Sequence, residues 1–141
     1  MTHNRFKLIH SELIMQVQLI EHDLRLIYAA MKPGDFEDNL DDLERAALGR
    51  IAKELKVLDY SDGRPDLSET DYETINRIRE IRNYWCHQCC LDYVYIEDDN
   101  RRKQKFQEIA VRLRHDEGLT WKLHEKLEIL RNRKLKEYHR I

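Results

Sequence analysis

The apolar residues of this chain recur at intervals of three and four, the spacing that places side chains on one face of an α-helix. The longest stripe runs from Phe6 to Met31 and stops just before Pro33-Gly34, a pair that ends helices. We therefore expect one long amphipathic helix at the start of the chain. Its apolar face consists of Phe6, Ile9, Leu13, Val17, Ile20, Leu24, Ile27 and Met31.

A second stripe lies between residues 40 and 58. It follows an acidic segment, 35–42, whose carboxylates favour a helix N-terminus because they interact well with the positive end of the helix dipole. The turn-forming sequence Asp-Gly-Arg-Pro at 62–65 then predicts a break. The apolar positions of this second predicted helix are Leu40, Leu43, Ala47, Ile51, Leu55 and Leu58.

A third helix is predicted to begin at Ser68. Asp71 stands three positions on, as in a capping box, and Leu67 is placed to pack against Tyr72 as a hydrophobic staple. The sequence does not determine where this helix ends, because the segment 93–96 has the composition of a strand. The apolar stripe of this third predicted helix is Ile75, Ile78, Ile81, Trp85 and Cys89.

A fourth helix is predicted after the capping residues 98–100, and we expect Gly118 to break or kink it. Four or five such helices bury their stripes best as an all-α, antiparallel four- to five-helix bundle. We expect a single helical domain over residues 1–141, with a charged helical C-terminal extension at about 119–141. The apolar positions of this fourth predicted helix and of the extension also recur at intervals of three and four. They are Phe106, Ile109, Ala110 and Leu113, then Leu119, Leu123, Leu127 and Leu130.

Composition narrows the class of protein. Four glycines and two prolines in 141 residues, with 37% charged residues, are typical of a helix-rich chain. No apolar run approaches the roughly 20 residues that a membrane-spanning helix needs. We expect a cytoplasmic protein without a membrane segment. Phosphate-binding loops, nucleophile elbows and zinc-protease motifs are also missing from the sequence, so we expect no cofactor.

The cysteines and one histidine form a cluster of metal-binding residue types at Cys86, His87, Cys89 and Cys90. Structural zinc ordinarily takes a second ligand pair from elsewhere in the chain, and no further cysteine exists. Three cysteines also cannot form a disulfide framework. We therefore expect no metal and interpret the cysteines as reduced thiols that behave as small buried apolar residues.

Charge is divided along the chain. Residues 35–99 hold 18 acidic and 8 basic groups, a net charge of −10, whereas residues 101–141 hold 6 acidic and 13 basic groups, a net charge of +7. The basic third could face phosphates, but a solvated helix face of mixed sign is the commoner explanation. The charge pattern leaves both interpretations open.

Three polar residues late in the third helix, Arg82, Asn83 and His87, are the candidate active residues. Arg82 interrupts the apolar stripe, so its guanidinium requires an ion pair, a route to solvent, a phosphate or a partner surface. Asn83 and His87 are four apart and share a face, and His87 alone would suit a structural hydrogen bond. Arg82 and His87 are about 140° apart on an ideal helix, so either a second subunit or a helix distortion is needed to bring them together.

The segment from Arg82 to His87 resembles the signature of the HEPN family of helical ribonuclease and RNA-processing modules. That signature is an arginine, commonly followed by a polar residue, and a histidine after four to six intervening positions, late in a helix of a small bundle. Arg82-Asn83 followed by His87 fits this pattern. The chain departs from one common form of it, because Cys89 stands where a tyrosine often follows.

The resemblance implies a metal-independent endoribonuclease, in which the 2′-hydroxyl of RNA attacks the adjacent phosphate. His87 would move a proton, Arg82 would bind the developing phosphorane and Asn83 would orient His87 or the phosphate. It also implies a homodimer whose site lies at the two-fold interface, an RNA substrate, and for many bacterial members a nucleotidyltransferase-type antitoxin. A toxin or antiviral effector is expected on this interpretation. The alternative is a noncatalytic helical module that binds a protein or RNA.

Overall fold

The structure, a computed structural model, describes residues 1–141 and contains helices and turns but no strand. It therefore confirms the all-α bundle predicted from the sequence. None of its helices combines the length and the apolarity needed to cross a membrane. The helices are α1 (His3–Met31), α2 (Phe36–Leu43), α3 (Leu48–Tyr60), α4 (Glu69–Asn83) and α5 (Asp99–Glu137), and a π-helical turn (Tyr84–Gln88) continues α4.

The two long helices, α1 and α5, form the centre of the bundle and run in the same direction. Gln16 Nε2 bonds to Glu117 Oε1, and further along both helices Arg131 Nη1 bonds to Asp23 Oδ1 at 2.7 Å. Because partner numbers rise together, the pair is parallel, and the predicted antiparallel arrangement is wrong for these two helices. The helices between them carry the chain back, so that α5 starts at the same end as α1. The eight apolar positions predicted for the first helix are all buried in the core.

Helix α4 supplies the antiparallel partner. Its first turn pairs Asp71 with Lys126, whereas Trp85, beyond its end, bonds to Asp116. As α4 advances, its partners in α5 move backwards, so the two helices are antiparallel. The bundle thus combines a parallel central pair, α1 and α5, with one antiparallel helix, α4, packed against it.

The second predicted helix is wrong in one respect, since the structure divides it into α2 and α3 at residues 44–47. Leu43 and Leu48 are both buried, at 1% and 7% exposed. Residues five apart lie about 140° apart on a continuous helix, so one helix could not turn both into the core. The break satisfies both burials although no glycine or proline marks it.

The start of α4 confirms the predicted capping box. The Ser68 hydroxyl accepts from the Asp71 N–H at 3.1 Å, and the Asp71 carboxylate accepts from the Ser68 N–H at 2.8 Å. Asp59 of α3 is buried beneath this turn and accepts from the Tyr72 hydroxyl at 2.7 Å. These bonds fix where α4 begins, and hence the position along the bundle of its C-terminal end, where Arg82 and Asn83 lie.

The expected break at Gly118 is wrong, because α5 is one continuous helix of 39 residues that includes this glycine. Residues 119–137 are the second half of the same helix, and three leucines there belong to the common core. Burial of both halves against α1 outweighs the roughly 1 kcal/mol that one glycine costs a helix. The segment 93–96, whose composition is typical of a strand, forms a turn at 93–95 and no strand. The core leucines of this half of α5 are Leu123, Leu127 and Leu130.

Gly118→Ala should stabilise the protein by about 0.5 to 1 kcal/mol, because an alanine there loses less backbone entropy and its Cβ would meet nothing within 4 Å. Gly34→Ala is the matched contrast. Gly34 has a φ of +108°, so alanine there is strained and should destabilise the protein. Urea denaturation measures both changes, and a Gly118→Ala variant less stable than the wild type would contradict this account.

Candidate active site

A π-helical turn lies inside the segment that carries the candidate residues. The N–H of Cys89 bonds to the carbonyl of Tyr84, five residues back, at 2.9 Å. In a regular α-helix the same N–H would bond to the carbonyl of Trp85. The turn therefore leaves the Trp85 carbonyl free for another donor.

That carbonyl is satisfied from α1. His10 Nε2 lies 2.6 Å from the Trp85 oxygen, and this contact requires that Nε2 carries the proton. The Cys89 thiol is a weaker second donor at 3.5 Å. A helix bulge is stable only when its displaced backbone groups find partners, so His10 helps to hold this one open.

The Trp85 side chain anchors the same turn to α5. Its ring is 1% exposed, and its Nε1–H donates to Asp116 Oδ2 at 2.9 Å. Asp116 is itself 4% exposed, and Arg112 Nε lies 3.8 Å from the same carboxylate oxygen. A buried carboxylate is tolerated there because an indole donor and a guanidinium compensate for its desolvation.

Tyr84 forms a second polar group on the outer side of the turn. Its hydroxyl and the Gln88 amide each donate to Asp92, both at 2.9 Å, and the Arg112 guanidinium lies 3.5 Å above the Tyr84 ring. Burial, followed by the bond to Asp92, raises the pKa of Tyr84 to about 12. The bonds from Gln88 and Tyr84 lower the pKa of Asp92. The turn is thus held by hydrogen bonds on both of its sides.

Arg82 forms an ion pair with α1. Its Nη1 lies 2.7 Å from Glu21 Oε1, and the neighbouring Ile81 occupies the core position in the stripe. An ion pair was one of the explanations that the sequence left open for this arginine. The Arg82 side chain is nevertheless 39% exposed, so a face of the guanidinium remains open to solvent.

Asn83 and His87 are both exposed. Asn83 lines a groove of about 420 Å³ between α3 and α4, together with Arg79 and Glu80. Arg82 and His87 do not line that groove. A single chain therefore presents the three candidate residues on an open surface, not in one enclosed pocket.

The π-helical turn changes the angular relation between Arg82 and His87. A bond from residue i to residue i+5 widens the turn, so residues five apart lie more nearly above one another than in an α-helix. Four of the residues from Arg82 to His87 lie in this turn, from Tyr84 onwards. The angle between Arg82 and His87 is therefore smaller than the 140° of an ideal α-helix.

The cysteines are distributed differently from the prediction. Only Cys89 is buried, whereas Cys86 and Cys90 are exposed, so the prediction of three buried apolar thiols is wrong for two of them. The reason is that Trp85 and Cys89 take the buried positions of this segment, so Cys86 and Cys90, which follow them directly, lie outside the core. Burial, followed by the neighbouring Cys90, raises the pKa of the Cys89 thiol to about 12, which keeps it protonated.

The partners of this segment were not among the candidate residues predicted from the sequence. His10, Glu21 and Asp116 come from α1 and α5 and contact the segment from far along the chain. Asp116 carried a usable signal, because it falls three positions after Leu113 on an apolar stripe. His10 and Glu21 stand beside their stripe, and no local pattern distinguishes them.

Comparison with known proteins adds no relative, because no family model, no curated protein and no solved structure matches this chain. Its function is therefore inferred from its own residues and geometry and from the resemblance of the Arg82 to His87 segment. That resemblance concerns six positions.

His10→Ala should destabilise the protein by about 1 to 2 kcal/mol, because the Trp85 carbonyl loses its closest donor. His10→Gln retains a donor and should recover part of the loss. His22→Ala is the control, since His22 is an exposed histidine on the same helix. Urea denaturation measures all three variants, and equal stabilities of His10→Ala and His22→Ala would disprove this role of His10.

Proposed function

We propose that this chain is a metal-independent endoribonuclease of HEPN type, acting as a toxin or antiviral effector. Arg82 binds the phosphate that reacts, His87 transfers a proton, and Asn83 orients His87 or the phosphate. The 2′-oxygen of RNA forms a bond to phosphorus and the bond to the 5′-oxygen breaks. The products are a cyclic phosphate and a 5′-hydroxyl.

The observation that carries this proposal is the π-helical turn at Tyr84–Gln88. Such turns are rare and concentrate at functional sites. This one contains the exposed His87 and begins two residues after the partly exposed Arg82, and side chains from two other helices hold it in place.

The residue types suit the chemistry. Histidine titrates near neutral pH and can accept or donate a proton, while arginine stays charged and can bind two phosphate oxygens at once. Cleavage needs a proton to leave the 2′-hydroxyl and a proton to reach the departing 5′-oxygen. In a two-fold homodimer, the His87 of one chain would act beside the Arg82 of the other chain, accepting the first proton and returning it to the 5′-oxygen.

The dimer belongs to the proposal for a geometric reason as well. In one chain the three candidate residues lie on an open surface, and the groove beside Asn83 contains neither Arg82 nor His87. A second copy placed over this surface would convert it into a cleft. A nucleotidyltransferase-type antitoxin is the partner that we propose for control of the activity.

One observation favours a second candidate, a noncatalytic interaction module. Met15 and Trp121 are 54% and 49% exposed, and both line a shallow groove of about 520 Å³ between α1 and α5. Exposed apolar side chains beside a groove are typical of protein-binding surfaces. On this alternative no RNA product would form, whatever the concentration of protein.

Purified protein should cleave single-stranded RNA in the presence of EDTA. Arg82→Ala and His87→Ala should each lower the rate by about 100-fold or more, because each removes a group that acts in the transition state. Arg45→Ala is the matched control, since Arg45 is exposed and forms no ion pair. Circular dichroism checks that the variants remain folded. Undiminished cleavage by both variants would remove the proposed site.

Mixing Arg82→Ala with His87→Ala tests whether the site is shared between two chains. In a mixed dimer, one of the two sites would combine the intact Arg82 of one chain with the intact His87 of the other. Part of the wild-type activity should therefore return on mixing, as measured by the same RNA assay after exchange of subunits. Two inactive proteins that stay inactive when mixed would show that both groups act within one chain.

A further inference from the structure

Two neighbouring cavities lie at the end of the bundle where α1 and α5 begin. The larger has a volume of about 330 Å³ and the smaller about 160 Å³, and both are lined by His3 and Tyr93. Because they share these two rings, they form one continuous depression, which we call the end groove. Its lining side chains also include Lys7, Cys90, Arg102 and Lys103.

Aromatic rings form the floor of the end groove. The His3 ring is stacked on Phe106 with their centroids 4.3 Å apart, and Tyr93 lies 5.3 Å from Phe106 and 6.4 Å from His3. Phe106 is buried, so it supports the other two rings from below. Tyr95, in the same connecting segment, is 77% exposed. Rings supported in this way suit stacking with planar groups such as nucleobases.

Cationic side chains flank these rings. Lys7 and Lys103 are exposed, and neither forms an ion pair. Arg102 is held in place by Asp99 and by the Ile96 carbonyl. The end groove therefore offers two ammonium groups without anionic partners.

The rest of the basic helix is different. Further along α5, Lys126 pairs with Asp71, Arg133 pairs with Asp66, and Arg131 pairs with Asp23. Four of the six basic residues in this half of α5 thus have a carboxylate partner, since Lys134 also pairs with Asp66. At the beginning of the helix, where the end groove lies, Arg101 and Lys103 form no ion pair.

The end groove is adjacent to the candidate active site. Its smaller cavity is lined by His10, whose Nε2 contacts the Trp85 carbonyl, and by Cys90, which follows His87 by three residues. A strand that passes His87 would therefore reach the end groove within about one helical turn of protein.

We infer that the end groove is a binding subsite for single-stranded RNA, with bases stacked on His3 and Tyr93 and phosphates paired with Lys7 and Lys103. Its identification as part of a substrate path rests on the proposed ribonuclease function. The preference for single strands follows from the rings, because bases inside a duplex are already stacked and paired and cannot reach them. Unpaired ammonium groups suit the phosphates between those bases.

A fluorescent 2′-O-methyl oligoribonucleotide of about eight nucleotides is the probe, because its blocked 2′-oxygen cannot attack and it stays intact during the measurement. Fluorescence anisotropy gives its affinity for the full chain. Lys103→Glu and His3→Ala should each weaken binding about fivefold or more, the second through loss of stacking. Lys53→Glu makes the same charge change at an exposed residue of α3, far from the end groove in the sequence. It is the control and should have little effect on binding.

A duplex of the same sequence should bind more weakly than the single strand. Equal affinities for Lys103→Glu and Lys53→Glu, no binding to the wild type, or equal binding of duplex and single strand would each overturn the inference. Because the probe cannot be cleaved, this result is separate from the RNA cleavage assay. Binding of the probe without cleavage of RNA would support the subsite and refute the nuclease. Cleavage that the groove variants leave unchanged would support the nuclease and refute the subsite.

Discussion

The buried Trp85 side chain is the interaction on which the site depends. Its ring packs 6.3 Å from Phe6 of α1, its indole N–H bonds to Asp116 of α5, and its carbonyl accepts from His10. One residue therefore contacts both long helices through three different parts. Because the ring and the carbonyl have separate partners, neither the rotation nor the hydrogen bonding of this turn is free to change alone.

Local signals predicted the helices wherever the chain marks its own boundaries. Pro33-Gly34 ends α1, Ser68 with Asp71 begins α4, and Asp98 accepts from the Asn100 N–H at the start of α5. These features act within a few residues, so they can be recognised without knowledge of the fold.

The errors arose where distant packing decided the outcome. The break between α2 and α3 follows from the burial of Leu43 and Leu48, and the continuity of α5 through Gly118 follows from packing on α1. The candidate site divides in the same way. Its motif residues could be predicted from their spacing, but the π-helical turn could not, since the Trp85 carbonyl is satisfied by a histidine 75 residues earlier.

The parallel pairing of α1 and α5 has a consequence for how the chain reaches this fold. The side-chain bonds between the two helices join residues that are 101 to 108 positions apart. During synthesis, α1 leaves the ribosome long before its main partner exists, and its apolar face stays without that partner until the last helix has been made. Contacts between such distant parts of a chain form slowly, and an apolar helix face without its partner favours aggregation during that time.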